Sequence, residues 1–289
     1  MKLRVFSALM TVWVVLLTAC SGNTATPGTA SPTADASAQP SAETAADYKL
    51  VTEGKLTYGV AATYPPFEYM ADEQYTGFDI EFMEAIAREL GLEVEIVAMN
   101  FDGLIPALQG KRIDLINSAM FVTEARAAQV DFIKYMGIGR SIVVPKGNKL
   151  GIASMNDLSG KTVAVTRGAI EEVYVTEFNA ELKAEGKTEI DILALPTAND
   201  AVLATENGRA EAFLHSSPGA AYLLKEREGV FEIAQTMESG TQIGIAVNKG
   251  ETALAGAIEE AVKTLVEKGI YHQLMAKYNL PAEMSLFNR

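Results

Sequence analysis

Short apolar runs alternate with helical patterns through the chain from about residue 48 onward. The runs that predict strands are KLTYGV, VEIVAM and IDLINS in the first part of this region, and KTVAVT, DILALP and AEAFLH in the later part. After the first run, Ile80, Met83 and Ile86 are spaced for one face of a helix, and Gly91 is typical of its end. Strands that alternate with helices predict an α/β architecture with mainly parallel sheets.

The plan of elements is repeated, which predicts two lobes of similar topology. LQGKRIDLINSA (108–119) and TENGRAEAFLHS (205–216) both pass from a helix end through a glycine and a basic residue into a strand that ends in small polar residues. Ligands of open α/β sheets bind beyond the carboxyl ends of the strands. We therefore expect Ser118-Ala119 and His215-Ser216 to line opposite walls of one cleft.

Two similar strands, SIVVPKGN (141–148) and GIAVNKGE (244–251), are predicted to connect the lobes. The first lobe would comprise residues 48–138 plus 243–289, and the second lobe residues 139–242. Two antiparallel crossings form a hinge, so the cleft could open and close.

The amino end has the three parts of a secretory signal over residues 1–19: a cationic start, an apolar stretch and small residues. The next residue, Cys20, is the sole cysteine of the chain, so an intramolecular disulfide is excluded. LTAC resembles the bacterial lipobox, in which the cysteine is lipidated. Residues 21–47 are rich in Ser, Thr, Ala and Pro and predict a flexible tether with a span of roughly 28 Å.

The net charge of −13 and the absence of a basic stripe argue against nucleic-acid binding. The chain has two histidines, His215 and His272, without metal-ligand spacing, and no glycine-rich phosphate loop. We therefore expect no metal, no cofactor and no enzyme activity. Membrane contact is expected through the lipid anchor alone, and the protein is expected to be a monomer.

Several motifs resemble the family 3 extracellular solute-binding proteins, the substrate-capturing components of polar amino-acid ABC importers. They are TYPPFEY (63–69), TGFDIEFMEAIARELG (76–91), FDGLIPALQGKRIDLINSAM (101–120), RAAQVDF (126–132) and DLSGKTVAV (157–165). The resemblance implies a type II periplasmic-binding-protein fold, with two α/β lobes joined by a two-strand hinge. It also implies an exported, lipid-anchored protein at the outer face of the cell membrane or in the periplasm, which docks on an ABC permease.

The resemblance assigns roles to three residues of the cleft. An aromatic residue at the position of Tyr64 lies against the ligand, Phe101 covers the other side, and Arg126 holds the carboxylate. A guanidinium fits a carboxylate with paired donors, which lysine cannot do. The alternative for Arg126 is a surface pairing with Glu124 or Asp131.

The chain departs from the family at three positions of the expected site. Amino-acid binders usually carry Thr or Ser at Phe121, Asp at Ser216, where it holds the α-ammonium, and often Thr at Ile170. An unpaired buried ammonium would cost several kcal/mol. We therefore expect a small amino acid or related zwitterion or carboxylate with an altered amino end, such as a methylated or cyclic amine.

Two features of the second lobe could compensate for these departures. Gly168 stands at a strand-to-helix turn where free N–H groups could receive an anion. Glu171 could face the cleft and meet a cation, or could instead interact with the helix dipole. His215 is expected either to hydrogen-bond the ligand or to support a residue that does.

The full set of residues predicted to bind the ligand is Tyr64, Phe101, Ser118, Ala119, Met120, Phe121, Arg126, Thr166, Gly168, Ala169, Ile170, Glu171, His215 and Ser216. One enzyme alternative stays open, because cyclohexadienyl dehydratases share this fold and Glu171 could serve as their acid. A sensory ligand-binding domain is disfavoured, since no transmembrane or signalling segment is seen after Arg289.

Overall fold

The computed structural model describes residues 48–287, except the side chains of residues 238 and 239. The predicted signal segment (1–19), Cys20 and the predicted tether (21–47) lie outside the described residues.

Eleven strands are formed within the described part of the chain. They are β1 (Lys55–Val60), β2 (Thr63–Tyr64), β3 (Glu68–Ala71), β4 (Gln74–Thr76), β5 (Glu93–Ala98), β6 (Leu115–Ile116), β7 (Val130–Pro145), β8 (Thr162–Thr166), β9 (Asp191–Leu195), β10 (Ala212–Ser216) and β11 (Phe231–Asn248). Eight of them form one sheet in the order β5-β1-β6-β11-β7-β10-β8-β9, and β2, β3 and β4 form a small separate sheet.

The α-helices of the same region cover the faces of the large sheet. They are α1 (Phe78–Glu89), α2 (Leu104–Gln109), α3 (Glu124–Ala127), α4 (Ile170–Ala184), α5 (Ala198–Glu206), α6 (Ser217–Glu226), α7 (Thr252–Glu267) and α8 (Ile270–Lys277). Helix α1 buries Ile80, Met83 and Ile86, so the predicted apolar stripe is the buried face.

Each lobe has a parallel core, and two antiparallel strands join the lobes. In the first lobe β1 pairs in parallel with β5 and β6; in the second lobe β8 pairs in parallel with β9 and β10. Between them, β7 and β11 pair with each other along their length. The predicted α/β architecture of two lobes with a two-strand hinge is confirmed, while the lobe boundaries stay predictions.

The hinge strands are longer than the sequence predicts. Strand β7 spans 16 residues and β11 spans 18, whereas the predicted strands cover 141–148 and 244–251. Between residues 130 and 140, β7 carries glycines and polar residues among its apolar ones. No regular alternation of apolar and polar residues therefore predicts a strand there. The register between the two strands shifts at three places, including the step from Met237 to Thr241.

Helices pack on both faces of the sheet in each lobe. In the second lobe, Ile142 and Val144 of β7 face one apolar cluster, while Val143 between them faces the other. This alternation follows from the two-residue period of a strand. In the first lobe, α1, α7 and α8 cover one face and α2 covers the other. Both sheet faces are therefore buried, as is typical of parallel α/β sheets.

The small sheet β2-β3-β4 is absent from the sequence prediction, because its strands have only two to four residues. It carries one wall of the interlobe cleft. Within residues 48–287, none of the helices has the length and apolar character to cross a bilayer.

Candidate functional site

A cavity of about 310 Å³ lies between the two lobes. The first lobe contributes the segment that includes β2, the start of β3, and the ends of β5 and β6. The second lobe contributes the start of α4 and the turn that enters α5. Its walls are largely apolar, with two carboxyl groups among them, Glu68 and Glu171.

Nine of the predicted residues line this cavity: Tyr64, Phe101, Ser118, Ala119, Phe121, Thr166, Ala169, Ile170 and Glu171. Five lie outside its walls: Met120, Arg126, Gly168, His215 and Ser216. Met120 is buried in the apolar cluster against α2. The other four contact residues of the walls and are described below. The assignment of all fourteen to ligand binding stays a prediction.

Tyr64 joins the two lobes across the cleft. Its hydroxyl donates to Glu171 Oε1 at 3.3 Å and accepts from the N–H of Ser216 at 3.2 Å. Its ring lies 4.6 Å from the ring of His215. Three residues of the second lobe therefore contact one side chain of the first lobe, and this places His215 and Ser216 against Tyr64 instead of on the cavity wall.

Ser216 and His215 are held by local hydrogen bonds. The Ser216 hydroxyl accepts from the N–H of Gly219 and so caps the start of α6, a common role for serine. His215 Nδ1 accepts from the N–H of Ser216. Burial lowers the pKa of His215 to about 4, so its ring is neutral near neutral pH. Neither side chain supplies a carboxylate for an ammonium group.

Arg126 also joins the lobes. Its guanidinium donates to the carbonyl oxygen of Phe121 at 2.8 Å and to that of Gly168 at 2.9 Å, and it lies 5.3 Å from the centre of the Phe101 ring. The side chain is 8% exposed, so the alternative of a surface ion pair is wrong; Asp131 pairs instead with Lys249. Burial lowers the pKa of Arg126 to about 10, which leaves it charged at neutral pH.

The turn at Gly168 differs from its prediction. Its N–H donates to Glu172 Oε2 at 2.6 Å, so the expectation that this N–H is free for an anion is wrong. Glu172, in the first turn of α4, thus accepts the hydrogen bond of an amide that precedes the helix. Gly168 has a φ of 73°, and a methyl group built on it would lie 3.0 Å from Asp102 Cβ in the first lobe.

Gly168→Ala should therefore hold the lobes apart, because the added methyl group meets the backbone and Cβ of Asp102 only when the cleft is closed. Small-angle X-ray scattering should give a larger radius of gyration than for the wild type. Gly186→Ala is the matched control, since Gly186 has a φ of 71° in the same lobe and open space around its Cβ position. Equal radii for the two variants would contradict the expectation.

Glu171 is 3% exposed, and burial raises its pKa. The positive charges of Arg140 and Arg126 act in the opposite direction and favour its ionised form. Arg140, on the hinge strand β7, is buried and stacks at 4.2 Å over the ring of Tyr174. Glu171 thus has two cations near it within the protein.

Glu68 is a cavity residue that sequence reasoning missed. It is 1% exposed, and its Oε1 accepts from the Ser118 hydroxyl at 2.9 Å. Its Oε2 is buried and accepts no hydrogen bond from any described residue. Beside it lies Asp79, fully buried, which accepts from the Tyr135 hydroxyl at 2.7 Å and from the N–H of Ala119 at 2.6 Å.

A signal for this pair was present in the sequence. Asp79 precedes Met83 and Ile86 by four and seven residues, so it lies on the buried stripe of α1 and not on its polar face. The hydrogen bond to Asp79 also supports Ala119, whose φ of 41° is unusual for a residue with a side chain. An acid on an apolar face indicates a specific polar contact inside the protein.

Metal binding receives no support from the part of the chain that the structure describes, where no group of three or more His, Cys, Asp or Glu side chains could hold an ion. The polar groups of the cleft are instead arranged as hydrogen-bonding and charged contacts around a small, mostly apolar space, which is typical of a small-molecule site.

Several proteins that are named as amino-acid-binding proteins resemble this chain. A probable histidine-binding protein of Campylobacter jejuni is 33% identical over 228 residues, which cover 78% of this chain and 85% of that protein. An L-arginine-binding protein of Pseudomonas aeruginosa is 33% identical over 234 residues, which cover 76% of this chain and 86% of that protein. Both relatives are named as binding proteins and not as enzymes.

A solved structure shares the fold. The crystal structure of a mutant of ArgBP from T. maritima superposes with a TM-score of 0.73 at 35% identity, and the match covers 79% of this chain and 96% of that one. The type II periplasmic-binding-protein fold is therefore confirmed. Residues 56–281 match the family described as bacterial extracellular solute-binding proteins, family 3. With this match and these relatives, the chain belongs to the bacterial extracellular solute-binding proteins of family 3.

Proposed function

We propose that the protein is the substrate-binding component of an ABC importer and holds a small amino acid, or a related zwitterion, through a positively charged nitrogen at Glu68. The observation that carries this proposal is the buried Oε2 of Glu68, a carboxyl oxygen on the cavity wall that accepts no hydrogen bond from the described residues. Buried charged groups need a counter-charge or hydrogen bonds.

The two carboxyl groups of the cavity differ in their surroundings, which favours Glu68 as the cation contact. The positive charges of Arg140 and Arg126 already lower the pKa of Glu171, whereas no cation within residues 48–287 lowers the pKa of Glu68. The aromatic rings of Tyr64, Phe101 and Phe121 line the same space and suit a weakly hydrated cation. The histidine- and arginine-binding relatives agree with a solute that carries positive charge.

Because Ser216 offers no carboxylate and its hydroxyl caps α6, solutes with an altered amino end, such as glycine betaine in the panel below, are proposed to bind as well as ordinary amino acids. Export, lipidation at Cys20, a tether over residues 21–47, a monomeric state and docking on a permease complete the proposal. Together they describe a protein held at the outer face of the membrane while its cleft samples the surroundings.

The test is a panel of solutes measured by calorimetry on wild type, Glu68→Gln and Glu93→Gln. The panel contains L-arginine, L-histidine, L-lysine, glycine betaine, L-glutamine and L-glutamate. Cationic or zwitterionic members should bind, and Glu68→Gln should lose about 1.5–3 kcal/mol, which is the usual contribution of a hydrogen bond to a charged group. Glu93 is exposed on β5, so its variant should bind like the wild type.

Two results would contradict this function. Binding restricted to the anionic L-glutamate would place the cation contact elsewhere or remove it. Equal affinities for wild type and Glu68→Gln would remove Glu68 from the site.

A further inference from the structure

Glu68 and Asp79 form a buried pair of carboxyl groups at the edge of the cavity. Glu68 is 1% exposed and Asp79 is fully buried, and their carboxyl groups lie within hydrogen-bonding reach of each other. A hydrogen bond between two carboxyl groups requires a proton on one of them. Asp79 accepts at both oxygens, from Tyr135 and Ala119, so the proton belongs on Glu68, whose Oε2 has no donor in contact.

The groups around the pair are acids or neutral donors. Tyr58 faces it from β1, Tyr64 from β2, Tyr135 from β7 and Tyr271 from α8, and Ser118 donates to Glu68 from the end of β6. The charge of Glu84 on α1 raises the pKa of Tyr58, and Tyr75 on β4 acts in the same direction. Among the described residues, no Lys, Arg or His shifts the pKa of Glu68 or of Asp79.

The surroundings therefore oppose two negative charges side by side. Burial raises the pKa of Asp79 to about 7, and burial together with Asp79 raises the pKa of Glu68 well above its usual value. The same physics makes paired carboxyl groups in other proteins share one proton.

We propose that Glu68 and Asp79 act as one proton-exchanging cation subsite, in which the positively charged nitrogen of the solute replaces the proton of the empty site. On binding, the O–H bond of Glu68 breaks, its proton passes to solvent, and an N–H of the solute donates to Glu68 Oε2. Asp79 is a positioning residue that holds the proton in the empty cleft and keeps Glu68 directed into the cavity. This inference rests on the proposed function, which supplies the cation.

The exchange has a defined pH dependence. Because the empty site binds a proton that the filled site lacks, affinity rises with pH until the pair ionises without solute. Below that range the affinity for L-arginine should fall by at most about tenfold for each pH unit. A neutral solute cannot take the place of the proton, so the subsite also selects for positive charge.

Calorimetry with L-arginine as the probe measures the exchange directly. The same titration is made near neutral pH in two buffers with different heats of ionisation, phosphate and imidazole. The wild type should release a proton on binding. Glu68→Gln, whose amide resembles the protonated acid, should bind more weakly and release none. Asp79→Asn should keep binding but release fewer protons, because the pKa of Glu68 is then raised by burial alone and lies lower than in the wild type.

Infrared spectroscopy tests the proton without any solute. The ligand-free wild type at neutral pH should show the carbonyl band of a protonated carboxyl group that is missing from Glu68→Gln, with circular dichroism confirming that the variant is folded. Absence of this band overturns the inference, as does L-arginine binding without proton release. If no panel member binds, the proposed function fails, and the infrared band still decides whether the pair holds a proton.

Discussion

Arg126→Ala should weaken the binding of L-arginine by about 2–5 kcal/mol, the usual effect of removing one member of a buried charge pair. The guanidinium is charged, buried and hydrogen-bonded to one carbonyl in each lobe. Two of its five N–H groups serve these carbonyls, which leaves donors for the carboxylate of the solute. The removal of Arg126 should thus take away both an interlobe contact and the carboxylate contact that the family resemblance implies.

Arg126 could act by binding the carboxylate of the solute or by joining the lobes. The two roles are separated by measuring the affinities of wild type and Arg126→Ala for L-arginine and for agmatine, which is arginine without its carboxylate. If the guanidinium holds the carboxylate, Arg126→Ala should lower the affinity for L-arginine much more than that for agmatine. Equal losses for both would show that the residue acts by joining the lobes. Arg126→Lys should recover little, because an ammonium group lacks the planar fork that reaches two carbonyls.

Arg88→Ala is the control for this experiment. Arg88 is exposed near the end of α1, and the structure places it away from the cleft. Its variant should bind like the wild type. An unchanged affinity for L-arginine in Arg126→Ala would remove this residue from the site.

Gly77→Ala should lower the free energy of unfolding by about 2–6 kcal/mol, the sum of backbone strain and overpacking. Gly77 has a φ of 123°, and a methyl group built on it would lie 2.1 Å from the carbonyl oxygen of Phe67. The contacted atoms are backbone atoms of Phe67 and Glu68 at the start of β3, so no flexible side chain can move aside. Urea unfolding followed by circular dichroism measures the loss.

Gly91→Ala serves as the matched control at the other end of α1. Its φ is 69° and the space around it is open, so only the left-handed backbone cost of about 1–2 kcal/mol is expected. Equal losses for the two variants would show that the contact with Phe67 is not decisive. Phe67 immediately precedes Glu68, and its carbonyl oxygen accepts a hydrogen bond from the N–H of Asp79. Any residual folded Gly77→Ala should therefore bind solute weakly.

Local pattern was sufficient to predict most of the fold. The stripe of Ile80, Met83 and Ile86 follows the helical period, and strands with both faces buried appear as short apolar runs. The hinge strand β7 was predicted too short because glycines and polar residues interrupt its pattern. Its length depends on pairing with β11, whose residues lie about a hundred positions further along the chain.

The site was only partly predictable, because it too depends on contacts between residues that lie far apart along the chain. Tyr64, Phe101 and Phe121 line the cavity, and they were chosen through resemblance to a family. Glu68 was missed because a single glutamate outside any predicted strand or helix suggests an exposed position. Its burial results from the fold bringing β3 against the end of β6 and the start of α1, which no local pattern records.

The chain leaves the first lobe along β7 and returns to it along β11, after the second lobe. This path sets the order in which the two lobes can fold during synthesis. The apolar core of the first lobe combines Leu56 and Phe82 with Ile258 and Leu265 of α7. The ribosome makes α7 only after the whole second lobe has emerged, and domains generally fold as units during translation. The first lobe is therefore the last to fold completely. The apolar faces of its early strands stay uncovered until α7 and α8 have been synthesised and pack on them.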